Sequence, residues 1–157
     1  PSANVWPLVI CGGGPLEADL KAHARSIGVE GVVWAGFKQL PDIPKYYALA
    51  SAFILPSFNE QWGLVVNEAM ACGLPVLVSN RAGCRADLVR NGENGFLFDP
   101  FSAENMTAAI GRMAALDHAS RVAMGNRSRE IVRKWGTDRF AAMLWSAMQA
   151  GRKRLGD

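Results

Sequence analysis

Cysteine and histidine are scarce. Cys11, Cys72 and Cys84 form an odd set of three with no CxxC pair, and His23 and His118, the only two histidines, are distant from them in sequence. That pattern excludes a disulfide framework and a His/Cys zinc site, and it reads as a reduced, cytosolic chain whose thiols are small buried apolar groups. Eight prolines and 16 glycines in 157 residues are too few for a disordered or collagen-like chain. Uninterrupted apolar runs fall far short of the roughly 20 residues that a membrane-crossing helix needs. Pro1-Ser2-Ala3-Asn4 offers no basic region leading into an apolar core, so no secretory signal is expected, and a start at proline suggests a piece of something longer.

What is present describes one soluble domain over residues 1–157, half of it apolar and a fifth charged. The charge is uneven. Residues 1–100 carry seven basic against nine acidic side chains, whereas residues 101–157 carry ten against five. Arg127, Arg129, Arg133, Lys134, Arg139 and Arg152-Lys153-Arg154 lie in helical sequence without aromatic interleaving or a recognition motif. No nucleic-acid partner is expected, and a solvated helix face is preferred over contact with an anionic membrane.

Short apolar, β-rich runs alternate with longer helical patterns, which predicts βαβ units and a parallel sheet with helices on both faces. The strand candidates are Leu8–Cys11, Val32–Ala35, Ala52–Leu55, Pro75–Val78 and Gly95–Phe98. Helices are predicted over Leu16–Ile27, Ile43–Ala50, Gly63–Cys72 and, briefly, Arg85–Arg90. After Asp99-Pro100 the pattern turns wholly helical: Ser102 caps a helix to about Leu116, followed by helices over Ser120–Trp135 and Thr137–Arg154. The fold class is therefore α/β, a three-layer, Rossmann-like parallel sheet of about five strands with a helical C-terminal tail. In the last helix Phe140, Met143, Leu144, Ala147 and Met148 form one apolar stripe, for which core packing is the preferred reading.

Two loops could carry chemistry. Cys11-Gly12-Gly13-Gly14-Pro15 ends a strand and opens a helix, where backbone N–H groups meet a phosphate readily, yet three glycines also make an ordinary tight turn. The segment Leu55–Val76 is more specific: Glu60 falls in the loop after a strand, and Glu68 falls inside the next helix, beyond Gly63. A helix starting near Gly63 puts Glu68 about 7–8 Å further along the axis. Two carboxylates then flank a set of free N–H groups, an arrangement suited to an anionic ligand with hydroxyls at both ends, such as a nucleoside diphosphate sugar. A surface loop residue at 60 and a solvated helix residue at 68 are the plainer alternatives.

The stretch from Ala50 to Pro100, with PSFNEQWGLVVNEAMACGLPVLVS and NGENGFLFDP, resembles the nucleotide-binding half of the group 1 retaining glycosyltransferases, the glycogen-synthase-like branch of the two-domain type B architecture. The ICGGGP turn, the VVWAGF strand, the PKYYALASAFILPS segment and the helical tail follow the family's order. By that resemblance, Glu60 hydrogen-bonds donor-sugar hydroxyls, orienting the sugar in catalysis rather than attacking it, and Glu68 holds the ribose. The N–H groups of Gly63, Leu64 and Val65 meet the diphosphate, Gly14 lines the same cleft, and Phe37 and Lys38 fall where the base is held. For Phe37 a core position, and for Lys38 simple solvation, are the competing readings.

The resemblance implies no metal and no cofactor, only the nucleotide sugar as donor substrate. It also implies an acceptor-binding domain ahead of this one, together with the domain's first strand and an Arg and a Lys for the diphosphate. None of residues 1–11 is basic. A lone chain of this kind is expected to be nearly inactive and either to pair its first and third strands directly or to self-associate. A cytoplasmic place, with peripheral contact of the full-length enzyme at the inner membrane face, is the accompanying expectation. A non-catalytic nucleotide-binding module and a sugar-nucleotide epimerase are the alternatives. The chain departs from the family pattern at Trp62, where Phe is usual, at Asn67, where an apolar residue is usual, and at Gly83-Cys84-Arg85-Ala86-Asp87. Trp62 is read either as a ligand-stacking ring or as a wedge under the helix start.

Overall fold

The computed structural model describes residues 6–155, with side chains through Ala150. Pro1–Asn4 and the Arg152-Lys153-Arg154 side chains lie outside the described residues. The chain divides into two compact units, residues 1–46 and residues 47–157. All five predicted strands and all seven helices are present, in the predicted order.

In the first unit β1 (Leu8–Ile10) and β2 (Val32–Trp34) pair in parallel, Leu8 opposite Val32, with α1 (Glu17–Ser26) as the crossover. A parallel pair cannot be joined by a hairpin, which is why a helix separates them. None of residues 6–46 is buried, and Leu8, Val9 and Val33 are exposed although they sit in strands. α2 (Ile43–Leu49) leads out of this unit.

The second unit holds the core. β3 (Phe53–Leu55), β4 (Val76–Ser79) and β5 (Gly95–Phe98) form a parallel sheet in the order β3-β4-β5. Every residue of the central strand β4 is buried, as expected where helices cover both faces. α3 (Leu64–Ala71) lays Val66, Ala69 and Met70 into that core, the i, i+3, i+4 spacing of one helix face. α4 (Arg85–Leu88) adds Leu88, and α5 (Ala103–Ala115) adds Ala109 and Met113. α6 (His118–Val132) approaches the end of α3 through Gly125, where any Cβ would strike the carbonyl oxygen of Gly73. Buried Asn94 is fully employed: its side-chain oxygen accepts the Arg90 N–H at 2.7 Å, and its amide donates to Leu88 O at 3.1 Å.

The five strands form a two-stranded sheet in the first unit and a three-stranded sheet in the second. Three expectations need correction. α6 starts at His118, two residues early, because the Asp117 carboxylate accepts the Ser120 N–H at 2.7 Å and so caps the helix there. The apolar stripe of α7 (Thr137–Leu155) is not core: Phe140, Met143, Leu144 and Met148 are all exposed. Of the thiols only Cys84 is buried, while Cys11 is exposed and Cys72 half-buried. Ser102 caps α5 as predicted, its hydroxyl accepting the Asn105 N–H at 3.1 Å.

Candidate donor-binding site

The carboxyl ends of parallel strands are where open α/β sheets bind ligands. In the second unit the loop after β3 carries Glu60 there. Its main chain extends the sheet: Gly83 N–H donates to the Glu60 carbonyl at 2.9 Å, Cys84 N–H donates to the Trp62 carbonyl at 3.2 Å, and Glu60 bridges Ala82 in parallel. The half-buried Glu60 thereby gains a fixed backbone, and its Oε1 accepts the Trp62 N–H at 3.3 Å.

α3 then starts through Gly63, whose φ of 94° lies in the left-handed region and whose added Cβ would meet Leu55 Cδ2 at 3.0 Å and Glu60 Cγ at 3.3 Å. Only glycine fits both demands. Val66 N–H closes on the Gly63 carbonyl at 2.9 Å, so the N–H groups of Leu64 and Val65 precede the first bond of the helix. Both residues are exposed, and no side chain caps the helix. The positive end of α3 is thus open beside Glu60.

One turn on, Glu68 is exposed, and its Oε2 accepts the Tyr47 hydroxyl at 2.9 Å. It rims an open groove of about 520 Å³ whose far wall is Arg129, Arg133 and Trp135. The segment Ala69–Val78 that follows is largely buried, whereas Glu68 itself faces out.

Gly14, Phe37 and Lys38 belong to the first unit. Gly14 is exposed in the turn before α1, and its carbonyl accepts the Glu17 N–H at 3.1 Å. Phe37 is 72% exposed, which rules out the core reading for it. Lys38 is half-buried, with Nζ over the Tyr46 ring at 5.7 Å from its centroid. In the same unit the Cys11 thiol is pushed up by partial burial, with Lys38 opposing. Among the described residues, no three His, Cys, Asp or Glu side chains converge as a metal site.

Three features of this region have no signal in residue spacing. Tyr47 binds Glu68 across 21 residues of sequence. Trp62 donates its indole N–H to Asn67 Oδ1 at 2.9 Å, so the two departures from the resembled pattern are each other's partners. Phe58 and Phe101, in the loops after β3 and β5, stack at 4.9 Å with Arg81 over Phe101.

A family model described as glycosyl transferases group 1 matches residues 2–131. The chain belongs to that family. Among curated relatives, sulfoquinovosyl transferase SQD2 of Arabidopsis thaliana is 31% identical over 150 residues, covering 88% of this chain and 28% of that protein. A GDP-mannose-dependent alpha-(1-6)-phosphatidylinositol monomannoside mannosyltransferase of Mycobacterium tuberculosis is 32% identical over 146 residues, covering 87% and 37%. The chain thus spans roughly a third of the length of such relatives. Sucrose-phosphate synthase from Thermosynechococcus elongatus superposes with a TM-score of 0.75 at 27% identity, over 94% of this chain and 38% of that one. Anabaena HepE, solved with UDP, gives a TM-score of 0.79 at 24% identity over 92% and 41%, a likeness of fold. The Rossmann-like α/β arrangement is that of the C-terminal domain of type B glycosyltransferases.

Proposed function

We propose that this chain binds the nucleoside diphosphate sugar donor of a retaining glycosyltransferase, with the acceptor held by another part of a longer enzyme. The open N-terminal end of α3 between Glu60 and Glu68 is the observation that supports it most. Free N–H groups and the helix dipole suit a diphosphate, and they stabilise the charge that develops on it as the sugar departs. Glu60, with its backbone fixed by the β4–α4 loop, takes the sugar hydroxyls and orients the ring. Glu68, steadied by Tyr47, takes the ribose hydroxyls. The reaction needs no metal in this reading, because helix dipole and N–H groups carry the leaving diphosphate. Membership of the group 1 family and the GDP-mannose dependence of the mycobacterial relative support a nucleotide-sugar donor.

For Gly14 the proposal is a contact with the diphosphate, and for Phe37 and Lys38 contacts with the base. The open position of Phe37 leaves its ring free to stack on a nucleobase.

The test is calorimetric titration of the chain with UDP, GDP and ADP, followed by the sugar conjugates of whichever binds. Saturable binding of one nucleoside diphosphate, weakened at least about tenfold by Glu68→Ala, is the expected result. No binding of any of the three up to millimolar concentration overturns the reading.

A further inference from the structure

We infer that Trp62 and Asn67 act together as the positioning pair for the entry of α3, an inference that rests on the donor-site reading above. Trp62 is tied in four directions. Its N–H donates to Glu60 Oε1 at 3.3 Å and its carbonyl accepts the Cys84 N–H at 3.2 Å. Its indole N–H donates to Asn67 Oδ1 at 2.9 Å, and its ring meets Trp135 with centroids 5.5 Å apart, tilted by 47°. Trp135 is itself covered by the Arg139 guanidinium at 4.2 Å from its centroid.

In sequence the indole–amide bond spans the left-handed turn at Gly63 together with Leu64 and Val65, the two residues whose N–H groups precede the helical ladder. A left-handed glycine is the most permissive backbone point in this segment, so the direction in which α3 leaves it must be fixed by something else. Asn is a poor choice inside a helix on propensity alone, and here its side-chain carbonyl is consumed by the indole. The same residue that anchors the helix also donates its main-chain N–H to the Glu60 carboxylate. Trp62 therefore sets Glu60 and the free amides relative to each other, while Trp135 keeps its ring from swinging out. Neither indole nor Asn67 needs to touch the ligand.

Hydrogen-bond energetics supply a test that packing alone does not mimic. Removing one partner strands a half-buried polar group, whereas removing both with apolar residues is nearly neutral. Trp62→Phe, Asn67→Leu and the double variant are compared in the whole chain by amide exchange at Val66, the first N–H bonded in the helix entry, and by titration with the nucleoside diphosphate that the wild type binds. Asn67→Leu alone is expected to weaken binding by about two- to tenfold and to speed exchange at Val66. Added on top of Trp62→Phe, it is expected to change both by less than twofold. Loss of ring bulk against Trp135 lowers the denaturation midpoint of both Trp62→Phe proteins equally, so the comparison is unaffected by it. Equal effects of Asn67→Leu in the two backgrounds, or no effect in either, overturn the inference. Should the wild type bind no nucleotide, the donor-site reading fails, and exchange at Val66 alone then decides whether the pair positions the helix entry.

Discussion

The Tyr47 hydroxyl donates to Glu68 Oε2 at 2.9 Å, joining the end of α2 to α3. Tyr47 is only 8% exposed, its ring set edge-on against Phe53 with centroids 6.0 Å apart, whereas Glu68 is open to solvent. A buried phenol therefore restrains a solvent-exposed side chain through one of its carboxylate oxygens. A glutamate that is expected to grip two neighbouring ribose hydroxyls benefits from that loss of freedom before the ligand arrives.

Tyr47→Phe keeps the ring packing and removes only the hydroxyl. Stability should fall by no more than about 1.5 kcal/mol, since the exposed carboxylate regains water. Nucleotide affinity should fall by about two- to tenfold. Urea denaturation and calorimetry of the same protein separate the two effects. An affinity equal to wild type would mean that Glu68 does not depend on Tyr47 for its orientation.

Glu68→Ala and Glu60→Ala should differ in kind. A charge-assisted hydrogen bond contributes roughly 1.5–3 kcal/mol, so Glu68→Ala should weaken free nucleoside diphosphate about tenfold to a hundredfold. Glu60→Ala should leave free nucleotide within about twofold and lose the difference between nucleotide and nucleotide sugar. Titration of each variant with both ligands checks this division, which is wrong if the two variants lose the same affinity for free nucleotide.

The glutamate pair, the glycine between them and the order of elements were legible because each is a local signal. Glu60 and Glu68 sit at fixed distances from Gly63, and a helix starting there puts them on either side of its open end whatever the rest of the chain does. Tyr47 was not legible, since its partner is 21 residues away and nothing in the PKYYAL segment distinguishes its second tyrosine from its first. Trp62 and Asn67 each looked like an isolated departure, and only coordinates show that one compensates the other. The α7 stripe failed for the opposite reason. Periodicity predicts which face of a helix is apolar, not whether anything covers it.

The Cys84 thiol gives a pH dependence with a definite sign. Burial pushes it up to about 11 from an ordinary value of 9.0, helped by the Glu60 and Asp87 charges and opposed by its backbone hydrogen bond and Arg85. Between those values the unfolded chain loses its thiol proton while the folded chain keeps it. The contribution of this thiol to stability is therefore fully present below about pH 9 and is lost as pH rises toward 11. Cys84→Ala should flatten that part of the stability profile in urea titrations at pH 8, 9, 10 and 11. A decline of the same slope in the variant would assign it to other groups.

Gly83→Ala should damage the site without touching a proposed ligand contact. Gly83 N–H holds the Glu60 carbonyl at 2.9 Å, and its Cα faces the main chain of the same loop so closely that an added Cβ would overlap the Gln61 carbonyl oxygen, with Trp62 Cα also within 3.5 Å. The obstacle is backbone on both sides, so no rotamer change relieves it. Either the loop over Glu60–Trp62 shifts away from the β4–α4 loop, breaking the Gly83–Glu60 and Cys84–Trp62 bonds, or the β4–α4 loop retreats from the core that Cys84 and Leu88 occupy. Overpacking of this sort costs about 1–3 kcal/mol. The shift also carries Glu60 and Trp62 with it, so recognition of the sugar should suffer beyond what lower stability explains. The expected result is a variant that remains folded at low temperature, binds free nucleoside diphosphate more weakly than wild type, and no longer prefers the nucleotide sugar. Gly111→Ala, placed where an added Cβ meets nothing within 4 Å, serves as the matched control and should leave binding unchanged. Retention of the sugar preference by Gly83→Ala would show that the loop absorbs the clash without moving Glu60.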